Sequence, residues 1–141
     1  MRQIVLDTNV LVSALRSSAG ASHQLLRRVG TKTAGFEINL SVPLVLEYEM
    51  ALVRDPEIDS GAVDPVLAYL CKVGSHREIY FLWRPFLRDP ADEMVLEVAV
   101  ESGSEAIVTH NVRDYRKVEK QFGIRVLTPR DFLLDLKEKS Q

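Results

Sequence analysis

The chain has 141 residues, 46% of them hydrophobic and 27% charged, with a formal net charge of -2; this is the composition of a globular domain able to bury one sizeable core. A pI near 5.9 excludes nucleic-acid binding by bulk positive charge and confines any polyanion site to a local cluster. The single Cys71 excludes an internal disulfide, and the short apolar run before Asp7 suits neither a secretory nor a membrane-spanning segment, so a cytoplasmic protein with no membrane partner is expected.

Taken in chain order, "QIVL" (3–6) is a β-branched run ending at Asp7, and "NVLVSALRSS" has helical spacing up to Gly20. "HQLLRRV" reads as a helix, "FEINLS" as a short strand, and "PLVLEYEMALVR" as a helix entered through Pro43 in its first turn. "DSGAVDPVLAYLCKVG" predicts a turn and a helix, with Cys71 as a small core residue, and "EIYFLW" (78–83) predicts a strand. "RDPADEMVLEVAVESG" is a helix capped by Asp89, with Pro90 at its first position, and closed by Gly103. "EAIVT" and "IRVLT" predict two further strands, separated by a helix over 112–122 and followed by a last helix from Pro129. Alternating strands and helices predict an α/β domain spanning 1–141, with a central parallel sheet of four to five strands and helices on both faces.

Ligands of such sheets bind beyond the carboxyl ends of the strands. Two strands end in polar residues: one at Asp7, Thr8 and Asn9, the other at Thr109, His110 and Asn111. Asp7 taken alone suffices as a helix N-cap, but three consecutive polar residues exceed what one cap needs. On its helix, Asp92 has Val95, Leu96 and Ala99 as neighbours at i+3, i+4 and i+7, which turns it inward, while Glu93, Glu97 and Glu101 share a different face. Asp92 also sits where a capping box places its acid. Glu47 and Glu49 flank the apolar arc of their helix symmetrically, and periodicity does not choose between them. Carboxylates gathered from separate elements repel one another unless a cation lies among them, and oxygen-only ligands select a hard ion such as Mg²⁺ or Mn²⁺. One cysteine and three scattered histidines do not make a zinc site. No Gly-x-Ser-x-Gly elbow or Gly-rich phosphate loop occurs.

Four stretches, "IVLDTNVLVSAL", "SVPLVLEYEMAL", "RDPADEMVLEVAVESGSEAIVTHNVRDY" and "IRVLTPRDFL", together resemble the PIN-domain nucleases, and in particular the VapC-type toxins of bacterial toxin-antitoxin pairs. The resemblance runs over essentially the whole chain in the family's order. It implies a PIN fold and Mg²⁺- or Mn²⁺-dependent cleavage of RNA to 5′-phosphate and 3′-hydroxyl ends, with Asp7, Glu47 and Asp92 matching the family's acidic positions. Glu47 is thereby preferred to Glu49. Thr8 and Asn9 match the motif residues that shape the first loop and Thr109 the residue before the fourth site, whereas Asn111 departs from the pattern, because many members carry aspartate there.

The expected mechanism has Asp7, Glu47 and Asp92 holding one or two ions for in-line hydrolysis of a phosphodiester. Asn111 and Asp114 read either as a helix cap or as the outer shell of the acidic site, where Asp114 supplies charge for a weakly held second ion. Arg113, Arg116, Lys117 and Lys120 form a basic cluster suited to RNA phosphates or simply to solvent. The resemblance further implies a cognate antitoxin and a homodimer, for which the apolar "IYFLWRPFL" offers either an exposed patch or a buried strand. The rival reading is a PIN-like module that binds RNA or protein without cutting.

Overall fold

The computed structural model describes residues 1–139. Five strands, β1 (Arg2–Leu6), β2 (Phe36–Leu40), β3 (Ser75–His76), β4 (Ala106–Val108) and β5 (Arg125–Leu127), form an all-parallel sheet in the order β3-β2-β1-β4-β5. The helices are α1 (Thr8–Arg16), α2 (Ala21–Arg28), α3 (Val42–Arg54), α4 (Ser60–Val73), α5 (Pro90–Ser102), α6 (Arg116–Phe122) and α7 (Pro129–Lys139), and a 3-10 turn, Val112–Tyr115, precedes α6. Parallel pairing makes each connection a helical crossover. It also explains why the inner strands are apolar without alternation: Ile4, Val5 and Leu6 of β1 and Ala106, Ile107 and Val108 of β4 are all buried.

The predicted cap of α5 forms, Asp89 accepting a hydrogen bond from the Ala91 amide, and at the start of α3, where Pro43 lies in the first turn, Ser41 accepts one from the Leu44 amide. Gly103 closes α5 in the left-handed conformation, at φ 64°.

The strand expected over 78–83 does not form. The edge strand is Ser75–His76, and the chain leaves the sheet at Arg77, whose amide donates to the Leu40 carbonyl and whose guanidinium donates to Asn39 Oδ1. The aromatic run instead folds over the outer side of the molecule, with Tyr80, Phe81 and Leu82 exposed. Trp83 and Phe86 pack edge-on against Phe122 at 5.1 and 5.4 Å. An edge strand gains hydrogen bonds on one side only, whereas this path brings Arg84 onto Glu97 in a bidentate pair at 3.0 Å. Glu93 and Glu97 are accordingly buried, each 4% exposed. The second face of α5 is therefore covered as well as the one carrying Asp92.

Strand order reverses at β1: β2 and β3 lie to one side, β4 and β5 to the other. The crevice beyond the carboxyl ends of β1 and β4 is the topological switch point, where open α/β sheets bind ligands.

Candidate active site

Asp7 follows β1 directly. Its amide donates to the Val108 carbonyl at 2.9 Å, so the parallel ladder itself places this residue beside β4. Its Oδ1 accepts from the Thr8 amide at 2.8 Å, which is the cap, while Oδ2 accepts from Thr109 Oγ1 at 2.7 Å and from Asn9 Nδ2 at 3.2 Å. Asn9 also receives the His110 amide on its Oδ1, and the Asn111 amide donates to Thr109 Oγ1. Asp7, Asn9 and Thr109 thus lock the two strand ends into one rigid wall. His110 turns away and bonds Ser22 on α2 at 2.6 Å.

A cavity of about 260 Å³ opens in front of this wall, lined by Asp7, Thr8, Asn9, Val12, Glu47, Asp89, Ala91, Asp92 and Asn111. Four carboxylates share it, from three segments: Asp7 after β1, Glu47 on α3, and Asp89 and Asp92 at the start of α5. Glu47 lies on the half-buried side of α3 and faces the cavity, whereas Glu49 is exposed and lies elsewhere. The next residue, Tyr48, is buried and donates to the Leu6 carbonyl at 2.5 Å, which fixes the rotation of α3 against the end of β1. Asp89 combines its cap with a place in the cavity wall. The cap alone accounted for Asp89 in the sequence, so nothing there marked it as a site residue.

The electrostatics follow from this crowding. Burial raises the Asp7 pKa against the hydrogen bonds from Thr109 and Thr8, and the Asp89 charge adds to the rise. Asp92 is pushed up to about 7 by burial and then by the charge on Asp7, with Asp89 and Asp114 contributing further. Tyr115, buried beneath both acids, has its pKa driven far up by burial and by Asp7 and Asp92. Its hydroxyl is near enough to ease both carboxylates, yet it closes no hydrogen bond. The Thr8 hydroxyl is also buried and without a partner. Tyr115 went unmarked in the sequence because its aromatic ring reads as ordinary core.

Asn111 lines the cavity, and its side chain makes no capping bond to the following turn. Asp114 is exposed and lines a neighbouring cleft, reaching Asp92 through its charge. That cleft, about 590 Å³, is lined by Pro85, Phe86, Leu87, Arg88, Arg113, Asp114, Arg116 and Lys117. Three of the four predicted basic residues meet there, and Lys120 lies one helical turn beyond Arg116, outside the cleft.

Among the described residues, no three Asp, Glu, His or Cys side chains converge closely enough to enclose an ion in their observed rotamers. The donor set nevertheless suits a hard cation. It consists of oxygens alone, the buried Thr8 hydroxyl lacks a partner, and the carboxylates repel one another. Mg²⁺ in particular is held by one or two carboxylates with several waters and needs no closed protein cage.

A doubly wound α/β domain with an acidic crevice at its switch point is the class that this geometry defines. Residues 3–113 match the PIN domain family. The chain belongs to the PIN-domain family, whose members are generally nucleases. No curated protein sequence matches it significantly. Among solved structures, it is similar to a chain of VapBC2 from Rickettsia felis, in a complex bound to a DNA fragment from their promoter. The two share 12% identity with a TM-score of 0.59, over 89% of this chain and 96% of that one, a likeness of fold.

Proposed function

We propose that this protein is a metal-dependent endoribonuclease and the toxin of a toxin-antitoxin pair. The observation that carries the reading is the meeting of Asp7, Glu47, Asp89 and Asp92 in one crevice at the switch point of a PIN-domain sheet. Asp7, Glu47 and Asp92 would hold Mg²⁺ or Mn²⁺, which supplies charge neutralisation and a more acidic water. In the reaction, a water oxygen bonds to phosphorus, the P–O3′ bond breaks and O3′ leaves as a hydroxyl, giving a 5′-phosphate. Asn9 and Thr109 orient Asp7 by hydrogen bonds, and Thr8, whose hydroxyl is unpartnered, lines the cavity as a donor for water or phosphate oxygen. Asn111 orients water at the rim, and Asp114 adds charge from the outer side. Arg113, Arg116 and Lys117 take neighbouring phosphates, with Lys120 continuing that face.

The VapBC2 likeness supports an antitoxin partner, because that chain was solved within a two-protein complex. A homodimer is proposed through α3, whose Val42, Leu46, Met50 and Val53 form an exposed stripe at helical spacing.

The test is incubation of the purified protein with single-stranded and structured RNA in Mg²⁺, Mn²⁺ or EDTA. Cleavage with either ion, lost in EDTA and in Asp7→Asn and Glu47→Gln but kept in Glu49→Gln, supports the reading. RNA binding with no cleavage under any condition leaves the inert-module reading in its place.

A further inference from the structure

The amino ends of the strands, at the edge of the sheet away from the acidic crevice, gather positive charge. A pocket of about 160 Å³ opens there, and Arg2, Arg28, Thr33, Gly35 and Lys139 are among the residues that line it. Arg2 opens β1 and Asp7 follows that strand, so pocket and crevice stand at its two ends, roughly 16 Å apart. The three cations come from three elements: Arg2 from β1, Arg28 from the last turn of α2 and Lys139 from the last turn of α7.

This charge is answered only in part. Glu105 pairs with Arg2, while Asp135 is shared among Arg2, Arg125 and Lys139. Arg28 enters no ion pair among the described residues and gives one N–H to the Ala34 carbonyl. Arg2, Arg28, Arg125 and Lys139 thus stand against two carboxylates. Arg2 commits Nε and Nη2 to those acids, and its buried Nη1 has no acceptor. Cations in the last turns of α2 and α7 suit the negative ends of those helices, but that attraction leaves the Arg2 donor unfilled. A buried N–H without a partner is destabilising, and an anion held in the pocket supplies the missing acceptor.

The donor set selects the ligand. Guanidinium, ammonium and hydroxyl groups reach the pocket from four segments, which suits a tetrahedral oxyanion with acceptor oxygens on every side better than a planar carboxylate. The volume is well below the roughly 300 Å³ at which pockets begin to enclose whole drug-sized molecules, so it fits a phosphate group and leaves any attached base or sugar outside. Gly35, at φ 81°, turns the loop into β2, and its carbonyl accepts the Arg2 amide at 3.4 Å, which holds the Thr33 rim against the start of β1.

We propose that this pocket binds a phosphate group, as inorganic phosphate or as the end of a phosphomonoester, through Arg2, Arg28, Lys139 and Thr33. The bound anion ties α2, β1 and α7 together at the far edge of the sheet. The site is independent of the nuclease reading, and its test needs no RNA.

The experiment is calorimetric melting and amide NMR of the full chain near pH 7, with sodium phosphate compared with sodium chloride at matched ionic strength. EDTA is present throughout, so that no divalent ion carries phosphate into the crevice. Phosphate at about 20 mM is expected to raise the melting temperature by about 3 °C over chloride, as a millimolar dissociation constant requires. The amides of Arg2, Thr33 and Gly35 are expected to shift, and those of Asn9 and Arg113 to stay in place. Arg28→Gln and Lys139→Gln, at a half-buried and an exposed position, are each expected to weaken phosphate binding about tenfold. Arg116→Gln, in the other basic cleft, is expected to leave it unchanged. Adenosine 5′-monophosphate and adenosine form a second arm, in which adenosine is expected to have no effect. A monophosphate that binds at least as tightly as inorganic phosphate assigns the site to an organic phosphate, and one that binds more weakly assigns it to the free ion. No gain over chloride, amide shifts confined to 113–117, or undiminished phosphate binding in both Arg28→Gln and Lys139→Gln overturns the assignment.

Discussion

Thr109 Oγ1 donates a 2.7 Å hydrogen bond to Asp7 Oδ2 across 102 residues of sequence, and the same hydroxyl accepts the Asn111 amide at 3.0 Å. One buried hydroxyl therefore sets the orientation of the central carboxylate and the course of the loop after β4. Replacing it with an apolar group of similar shape removes both bonds, leaving Asp7 Oδ2 with Asn9 alone and the Asn111 amide without its side-chain partner, at about 1–3 kcal/mol in all. Thr109→Val is expected to melt several degrees lower and to cleave RNA at least tenfold more slowly at saturating metal, whereas Thr109→Ser retains most activity. Wild-type turnover in the valine variant would remove Thr109 from the positioning of Asp7.

Asp92 makes the metal-free protein pH-sensitive. Its folded pKa of about 7 lies above the ordinary carboxylate value near 4, so the folded state holds the proton more tightly than the unfolded chain. The resulting stabilisation is present in full below pH 4 and is lost as pH rises through 7. In EDTA, Asp92→Asn is expected to match the parent near pH 4 and to melt several degrees higher at pH 8, since the amide cannot ionise beside Asp7. Added Mg²⁺ or Mn²⁺ is expected to stabilise the parent at pH 8 and the variant hardly at all. Calorimetric melts with and without metal check both statements, and equal melting temperatures at pH 8 in EDTA count against the coupling.

In the proposed site, Asp114 and Asn111 would divide between them what one inward aspartate does. Asp114 acts on Asp92 through its charge from the neighbouring cleft, while Asn111 lines the acidic cavity as a neutral amide. Asp114→Asn is expected to raise the Mg²⁺ concentration for half-maximal cleavage several-fold, with little change in rate at saturation. Asn111→Asp is expected to lower that concentration. Metal titrations of the cleavage rate decide the matter, and unchanged midpoints in both variants return the pair to a structural role.

Asp135 provides the opposite pH sign far from the site. Hydrogen bonds from Arg2 at 2.5 Å and Arg125 at 3.1 Å hold its pKa down at about 2. Its contribution to stability is therefore complete above the ordinary value near 4 and is lost as pH falls through 2. Asp135→Asn is expected to lower the melting temperature at pH 7, with the difference from the parent closing between about pH 4 and pH 2. A difference that persists unchanged at low pH would assign the effect to packing of α7 instead of ionisation.

The order of elements was legible from short-range signals. Apolar runs, caps and helical spacing act within a few residues, and they predicted β1, β2, β4 and β5, the helices between them and the parallel sheet. The same local logic failed at 78–83, where a run with strand-like composition was worth more as a cover for α5 and α6 than as an edge strand. That choice depends on Glu97 needing Arg84 and on Phe122 offering a ring surface, neither of which is a neighbour in sequence.

Sequence by itself determined which groups stand at the ends of the strands and turned Asp92 to the inner face of its helix, because side-chain direction follows from the two-residue and 3.6-residue periods. Tertiary structure alone decided which carboxylates share a crevice. Glu47 and Glu49 are equivalent on the helical wheel, and the bond from Tyr48 to the end of β1 helps turn the first toward Asp7 and the second away. The placing of Asp89 in the crevice, of Tyr115 beneath Asp7 and Asp92, and of the cations in one cleft depends likewise on crossovers that bring distant segments to one sheet edge. Charge repulsion and desolvation act through space, and they become readable only once the chain has closed that distance.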